Sequence, residues 1–159
     1  MTKEPASRRT DSASRIVKAS PPTVYQALLD PEAVAKWLPP EGMKGEIYRF
    51  EPWEGGAYRM ALVYEEPDHR TPGKTSGHAD LVAGRFVQLI PDERVVQQAE
   101  FESDDPAFAG TMTIIWALEP ASDGTLVTVI CENVPPGISR QDHEAALSST
   151  LANLATFTE

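Results

Sequence analysis

Three histidines in this sequence lie beside acidic residues, a combination used both in general acid–base catalysis and in metal binding. They occur in the segments DHR at 68–70, HAD at 78–80 and DHE at 142–144. A metal site needs three or four ligands that converge at about 2 Å from the ion, and none of these spacings is a known metal signature. We therefore expect no metal and no other cofactor.

His78 is the strongest of the three candidates, because it falls in a predicted strand flanked by bends. An imidazole there could be a polar contact for a ligand or a general base. His69 lies in a loop rich in proline and glycine, and His143 lies at a predicted helix start, so we expect both to be solvated. Tyr58 and Glu100 are the other acid–base candidates, and we expect Glu100 to lie at the surface.

Nucleophilic catalysis has little support in the sequence. There is no Gly-x-Ser-x-Gly segment, and Cys131 lies among apolar residues of a predicted strand, where a buried and unreactive thiol is the usual case. The segment EGG at 54–56 lacks the lysine and the following helix that would hold a nucleotide. We assign no residue as catalytic.

The composition excludes several classes of partner. The chain has 159 residues, 41% of them hydrophobic, and a formal net charge of −10. The negative charge repels nucleic acid and anionic lipid surfaces, and no apolar run reaches the roughly 20 residues that a membrane span needs. With a single cysteine and no apolar leader segment, we expect a soluble, cytoplasmic protein.

The beginning of the chain predicts a tail, a strand and two helices. Residues 1–11 are polar and aperiodic, and we expect them to form a flexible tail before a single domain at 12–159. The segment SRIVKAS, from residue 14, predicts a first strand. Ser20 and Asp30 each precede a proline, which predicts the starts of two short helices.

The remainder predicts a sheet and one long helix. Period-two hydrophobicity indicates antiparallel strands, with bulges or bends at Gly77 and Gly84. Ser139 is a predicted N-cap for a helix whose apolar face includes Leu147, Leu151 and Leu154. This order favours an α+β helix-grip fold, in which a curved sheet wraps around the last helix. The predicted strands are 44–51, 57–66, 74–82 continuing or bending into 85–90, 94–102, 110–118 and 125–133.

The sequence also resembles a known family over residues 14–157. The resemblance rests on five segments that occur in the right order and spacing: RIVKASPPTVYQALLDPEAVAKWLPPEGM, EGGAYRM, GRFVQLIPDERVV, MTIIWALEPASDGTLVTV and DHEAALSSTLANLA. Together they resemble the SRPBCC superfamily, which has the START and birch-pollen-allergen fold. Within it, the chain is most similar to the group resembling the C-terminal domain of the activator of heat-shock protein 90 ATPase.

This resemblance implies a fold more than an activity, and the group has no shared set of catalytic residues. Members of the superfamily include lipid carriers, hormone receptors and polyketide cyclases, so fold alone does not give the function. A space between the sheet and the last helix is the natural ligand pocket, and a filled core is the alternative. We expect the pocket to bind a small hydrophobic or amphiphilic molecule through Trp37, Tyr58, Met60, Leu62, His78, Met112, Ile114, Trp116, Leu147 and Leu151.

Other functions stay open on the sequence alone. A cyclase or hydrolase using His78, Tyr58 or Glu100 is one, and a chaperone-associated interaction module is another. The outer face of the last two strands carries Ile115, Leu126 and Ile130, which would suit a homodimer contact or lie under a covering loop. Trp53, beside EGG, is either a pocket-rim aromatic or a staple over the hairpin.

Overall fold

The fold is a seven-stranded antiparallel sheet curled around a long C-terminal helix, as seen in a computed structural model that describes residues 9–40, 42–64 and 79–159. The α+β helix-grip prediction is confirmed. Within the described ranges, no helix combines the length and apolar character needed to cross a bilayer. The sheet order is β1-β7-β6-β5-β4-β3-β2, and all neighbours are antiparallel. The elements are β1 (Asp11–Val17), α1 (Pro21–Leu29), α2 (Pro31–Trp37), β2 (Met43–Phe50), β3 (Ala57–Tyr64), β4 (Ala79–Ile90), β5 (Arg94–Phe101), a 3-10 turn (Pro106–Phe108), β6 (Met112–Ala121), β7 (Gly124–Glu132) and α3 (Arg140–Thr158).

All three helices start where the capping residues predict. The side chain of Ser20 accepts a hydrogen bond from the backbone N–H of Thr23, and the Asp30 carboxylate accepts one from the N–H of Glu32. Ser139 caps α3 in the same way through Asp142. Each cap satisfies a backbone donor that the helix itself leaves unpaired, so these boundaries are fixed locally.

The first strand begins earlier than predicted. It starts at Asp11 rather than at Ser14, because Asp11 pairs with Cys131 in β7 and its side chain is fully buried. The last residue of the predicted tail therefore belongs to the sheet. Its burial depends on partners far away in the chain, which polarity alone does not reveal.

Gly84 has a different role from the predicted bulge or bend. β4 runs without interruption from Ala79 to Ile90, and its register with β5 shifts only between Phe86 and Gln88. A Cβ atom at Gly84 would lie 1.8 Å from the backbone oxygen of Gln98 and 2.7 Å from the Tyr58 hydroxyl. The glycine thus allows a close approach between neighbouring strands. Gly77 lies outside the described residues.

The hairpin between β2 and β3 turns at Trp53–Gly56. Gly55 has a φ of +85°, which favours glycine, and its N–H donates to the Phe86 oxygen. Trp53 is 57% exposed at this turn and does not line the cavity described below.

The core lies between the concave face of the sheet and the helices. α3 contacts β1 as well as both short helices, and α2 also contacts β2. Leu151 and Leu154 of α3 are buried there against residues of several strands. This packing leaves a space beside the N-terminal half of α3.

Candidate ligand-binding site

A cavity of about 180 Å³ lies between the concave face of the sheet and the first half of α3. Side chains of β3 to β7 form its floor, and α3 and the segment after α2 enclose it from the other side. Most of these side chains are apolar. The lining residues are Leu38, Pro40, Tyr58, Met60, Leu62, Asp80, Val82, Gln97, Ala99, Phe101, Met112, Ile114, Trp116, Val129, Cys131, His143, Ala146, Leu147 and Thr150.

Seven of the ten residues predicted to bind a ligand line this cavity. Alternation along a strand brings every second side chain to one face, and this rule places the residues of β3 and β6 together. Leu147 lies opposite them on α3. The seven are Tyr58, Met60, Leu62, Met112, Ile114, Trp116 and Leu147.

The other three predicted residues have different positions. Trp37 is buried behind the cavity, where its Nε1 donates to the Ala27 oxygen at 3.0 Å and its ring meets that of Trp116 edge-on, with centroids 5.4 Å apart. Trp37 therefore supports the wall through Trp116. Leu151 lies in the core, outside the lining. His78 lies outside the described residues.

Tyr58 is held in place as a structural part of the wall. Its hydroxyl donates to the Gln98 backbone oxygen at 2.8 Å, in the space that Gly84 leaves open. Burial is the main cause that raises the pKa of Tyr58 well above its ordinary value, and the nearby Cys131 raises it further. Because the hydroxyl proton takes part in a hydrogen bond and the pKa is raised, Tyr58 is poorly suited to act as a general acid or base near neutral pH.

Glu100 lies at the surface, as expected, and belongs to the opposite face of the sheet. One of its carboxylate oxygens accepts a hydrogen bond from the Thr111 hydroxyl at 2.6 Å. It does not line the cavity under α3. Glu100 is therefore not placed to act on a molecule in that cavity.

A buried ionic cluster stands at the edge of the cavity. The side chain of Asp11 is fully buried, and its Oδ1 accepts from Arg9 Nε at 2.8 Å and lies 3.3 Å from Arg140 Nε. Its Oδ2 lies 2.7 Å from His143 Nδ1. Burial by itself would raise the pKa of Asp11, but hydrogen bonds from Arg9 and His143 outweigh that effect and lower it. Asp11 is therefore an ionised carboxylate at neutral pH.

His143 is not solvated, and the prediction that it would be is wrong. Its side chain is 13% exposed and lines the cavity beside Leu147. The sequence does hold a signal for this, because positions 143, 147 and 151 follow the spacing of one helix face. Asp11 has no comparable signal, since its partners come from α3 and from the residues before the strand.

Three further polar groups line the cavity. Gln97 Oε1 accepts from the Trp116 indole at 2.9 Å, and the Thr150 hydroxyl donates to the Leu38 oxygen at 2.8 Å. Asp80 is buried in the wall. Burial is the main cause that raises the pKa of the nearby Tyr64, and the negative charges of Asp80 and Asp142 raise it further. Asp80 and Gln97 were not predicted as site residues.

Cys131 is buried, as the sequence predicts. Burial, followed by the charge of Asp11, raises the pKa of its thiol to about 12. The thiol stays protonated at neutral pH and is a weak nucleophile. Across the described ranges, no group of three or more histidine, cysteine, aspartate or glutamate residues is placed to hold a metal ion.

The outer face of the sheet carries the predicted apolar stripe. Ile115 pairs directly with Ile130, and Leu126 pairs with Ile16, which is 55% exposed. Ile115, Leu126 and Ile130 are themselves half-buried. The homodimer contact through this face stays a prediction.

The chain is similar to a known protein family. The profile of the family described as "Activator of Hsp90 ATPase homolog 1-like protein" matches residues 18–159. No curated protein matches the chain.

Solved bacterial structures share the fold. Protein CV1439 from Chromobacterium violaceum is 32% identical, with a TM-score of 0.83 over 94% of this chain and 96% of that one. A protein from Rhodobacter sphaeroides is 19% identical, with a TM-score of 0.73 over 92% and 89% of the two chains. Protein MLL2253 from Mesorhizobium loti is 18% identical, with a TM-score of 0.70 over 94% and 96%.

Proposed function

The chain belongs to the activator of Hsp90 ATPase homolog 1-like family, within the SRPBCC superfamily, and we propose that it binds a small hydrophobic or amphiphilic molecule. The ligand would lie in the cavity between β3–β7 and α3. The observation that carries this proposal is the apolar cavity itself.

The size of the cavity favours a small ring system or a short apolar chain. An engineered protein cavity of about 150 Å³ stays dry and takes up benzene, so a cavity of about 180 Å³ is large enough for one or two rings. Filling it would restore the dispersion contacts that the wall lacks. Met60 of β3 and Met112 of β6 both line the space, and their unbranched side chains can adapt to the shape of a ligand.

The wall of the cavity is not uniformly apolar, and its polar groups would make the site selective among small molecules. Gln97 and Thr150 form hydrogen bonds within the protein, to Trp116 and Leu38. Asp80 and His143 add ionisable groups to an otherwise apolar wall. A few polar groups on an apolar surface are typical of sites that orient one end of a small molecule.

A matched pair of helix variants tests the proposal with naphthalene as the probe. Ala146 lines the cavity, whereas its neighbour Ala145 is exposed. We expect wild-type protein and Ala145→Phe to bind naphthalene, and Ala146→Phe to lose that binding because the new ring occupies the space. Isothermal titration and native mass spectrometry of the purified protein provide the readout.

Two results would count against ligand binding. One is a wild-type protein that binds neither naphthalene nor any extractable molecule from its expression host. The other is equal naphthalene binding by Ala145→Phe and Ala146→Phe, with both proteins folded by circular dichroism, since binding would then take place elsewhere.

A further inference from the structure

We propose that the side-chain amide of Gln97 donates a hydrogen bond to a carbonyl oxygen of the ligand. The ligand is then a neutral carbonyl compound with an apolar body, such as an aryl ketone. This inference rests on the proposed function, because it assigns the chemical class of the molecule in the same cavity. Gln97 is the ligand-contacting residue, and Trp116 is a positioning residue.

The orientation of the amide follows from its contact with Trp116. An indole N–H can only donate a hydrogen bond, so the 2.9 Å contact with Trp116 Nε1 requires the oxygen of the Gln97 amide, Oε1, on that side. The amide nitrogen, Nε2, is then the end that does not contact the indole. Because this nitrogen carries two hydrogens and accepts no hydrogen bond, the second end of Gln97 is a donor.

The indole that anchors Gln97 is itself held in place. Trp116 is buried, and the ring of Trp37 meets it edge-on with centroids 5.4 Å apart. Trp37 is anchored in turn, because its Nε1 donates to the Ala27 oxygen at 3.0 Å. These contacts orient the Gln97 amide before a ligand arrives, which lowers the entropy cost of binding.

The position of Gln97 directs its free nitrogen to the cavity. In β5, Gln97 pairs with Ile114 of β6, and both residues line the cavity. No residue that the structure describes accepts a hydrogen bond from Gln97 Nε2. Among these same residues, no buried side-chain nitrogen or oxygen lacks a hydrogen-bond partner. Nε2 is therefore not enclosed by apolar atoms, and the open space beside Gln97 is the cavity.

Two hydroxyl groups of the lining contrast with Gln97, because both are used within the protein. The Tyr58 hydroxyl donates to the Gln98 backbone oxygen, and the Thr150 hydroxyl donates to the Leu38 oxygen. The amide of Gln97 is a donor that the fold itself does not use. A donor in an apolar wall costs free energy when no acceptor reaches it, so the site favours a ligand that supplies one.

A carbonyl group suits this donor better than other ligand groups do. A carbonyl oxygen only accepts, so it brings no hydrogen that needs a partner of its own. A hydrocarbon that displaces water from the cavity leaves the amide unpaired. A carboxylate loses its hydration there, and the described lining contains no lysine or arginine to compensate its charge. An apolar body with one carbonyl group matches both the amide and the apolar wall.

Three probes of similar size test this assignment: acetophenone, α-methylstyrene and benzoate. The first two have nearly the same shape and differ by a C=O group in place of C=CH₂. Gln97→Met keeps the length of the side chain and removes the amide. We expect it to weaken acetophenone binding about five- to tenfold, the effect of one hydrogen bond, and to change α-methylstyrene binding less than about twofold. Wild-type protein should bind benzoate least of the three.

Gln98→Met is the matched control, because Gln98 is the next residue of β5 and does not line the cavity. It should leave the affinities for acetophenone and α-methylstyrene unchanged. Equal effects of Gln97→Met on these two probes, or tighter binding of benzoate than of acetophenone by the wild type, would overturn the inference and leave the cavity proposal intact. Failure of the wild type to bind any of the three probes would overturn both.

A spectroscopic measurement does not require any variant to fold. In wild-type protein, the C=O stretching band of bound acetophenone, labelled with ¹³C at the carbonyl, reports the hydrogen bond directly, because accepting a hydrogen bond lowers the frequency of the band. We expect a lower frequency than that of acetophenone dissolved in a hydrocarbon. A band at the hydrocarbon frequency would overturn the inference.

The same band tests the positioning role of Trp116. Trp116→Phe removes the indole N–H that orients the amide and keeps an aromatic ring in the wall. With acetophenone bound, its carbonyl band should move towards the hydrocarbon frequency, which a loss of packing alone does not cause. A band unchanged from that of the wild type would show that Trp116 does not orient Gln97.

Discussion

Replacement of Asp11 by alanine should destabilise the fold by about 2–4 kcal/mol at pH 7. Asp11 is fully buried and holds three partners, Arg9, Arg140 and His143. Removal of one partner of a buried ion pair costs about 3–5 kcal/mol, because the other charge stays behind without compensation. Here the cost is lower, since the side chains of Arg9 and Arg140 are 23% and 56% exposed and can be hydrated.

The same reasoning gives the pH dependence of this effect. The folded-state pKa of Asp11 is lowered from about 3.8, so the folded protein binds the proton less readily than the unfolded chain does. The stabilisation is therefore complete above the unfolded value and is lost as the pH falls through the lower folded value. The difference between wild type and Asp11→Ala should therefore shrink as the pH falls below 3.8.

Urea unfolding followed by tryptophan fluorescence, repeated across this pH range, measures the difference. Asp123→Ala is the matched control, because Asp123 is an exposed aspartate in the turn between β6 and β7. It should change the free energy of unfolding by less than about 0.5 kcal/mol. A cost below about 1 kcal/mol for Asp11→Ala at pH 7, or a cost that stays the same at pH 3, would refute the role given to the buried ion cluster.

Two further predictions concern the wall of the cavity. Gly84→Ala should cost about 2–4 kcal/mol in urea unfolding, because its Cβ would meet the Gln98 oxygen and displace the Tyr58 hydroxyl. Gly45→Ala should cost much less, because its Cβ would lie no closer than 3.0 Å to any neighbouring atom, and equal costs for the two glycines would contradict this. Cys131 should react with an aromatic disulfide reagent at pH 8 at least about 100-fold more slowly in the native protein than in urea, since its raised pKa keeps the thiolate scarce. If Cys131 reacts as fast in the native protein as it does in urea, the thiol is neither buried nor held in its protonated form.

Local patterns are sufficient to predict much of the wall. Alternation within β3 places Tyr58 and Met60 on one face, and alternation within β6 does the same for Met112 and Trp116, because side-chain direction in a strand depends only on sequence parity. The helix starts follow from single capping residues in the same way. Both rules act over a few residues, so they require no knowledge of distant contacts.

The structure differs from expectation where the environment of a residue comes from distant segments. Trp37 has the size and polarity of a ligand contact, but the position of α2 behind Trp116 puts it in the core. Gly84 has the pattern of a bend in the sequence, yet its role depends on the approach of Tyr58 and the β5 backbone. Sequence propensity depends on the residue itself, whereas these two environments depend on the distant residues that pack against it.

The class of fold, the starts of the helices and the apolar character of the strand faces follow from local patterns in the sequence. The contact between Asp11 and His143, which are 132 positions apart, follows only from the way the elements pack beside the cavity. The pairing of β1 with β7 and the placement of α3 across β1 bring them together. A polar residue at a strand start and a histidine at a helix start are each ordinary surface residues until that packing removes water from between them.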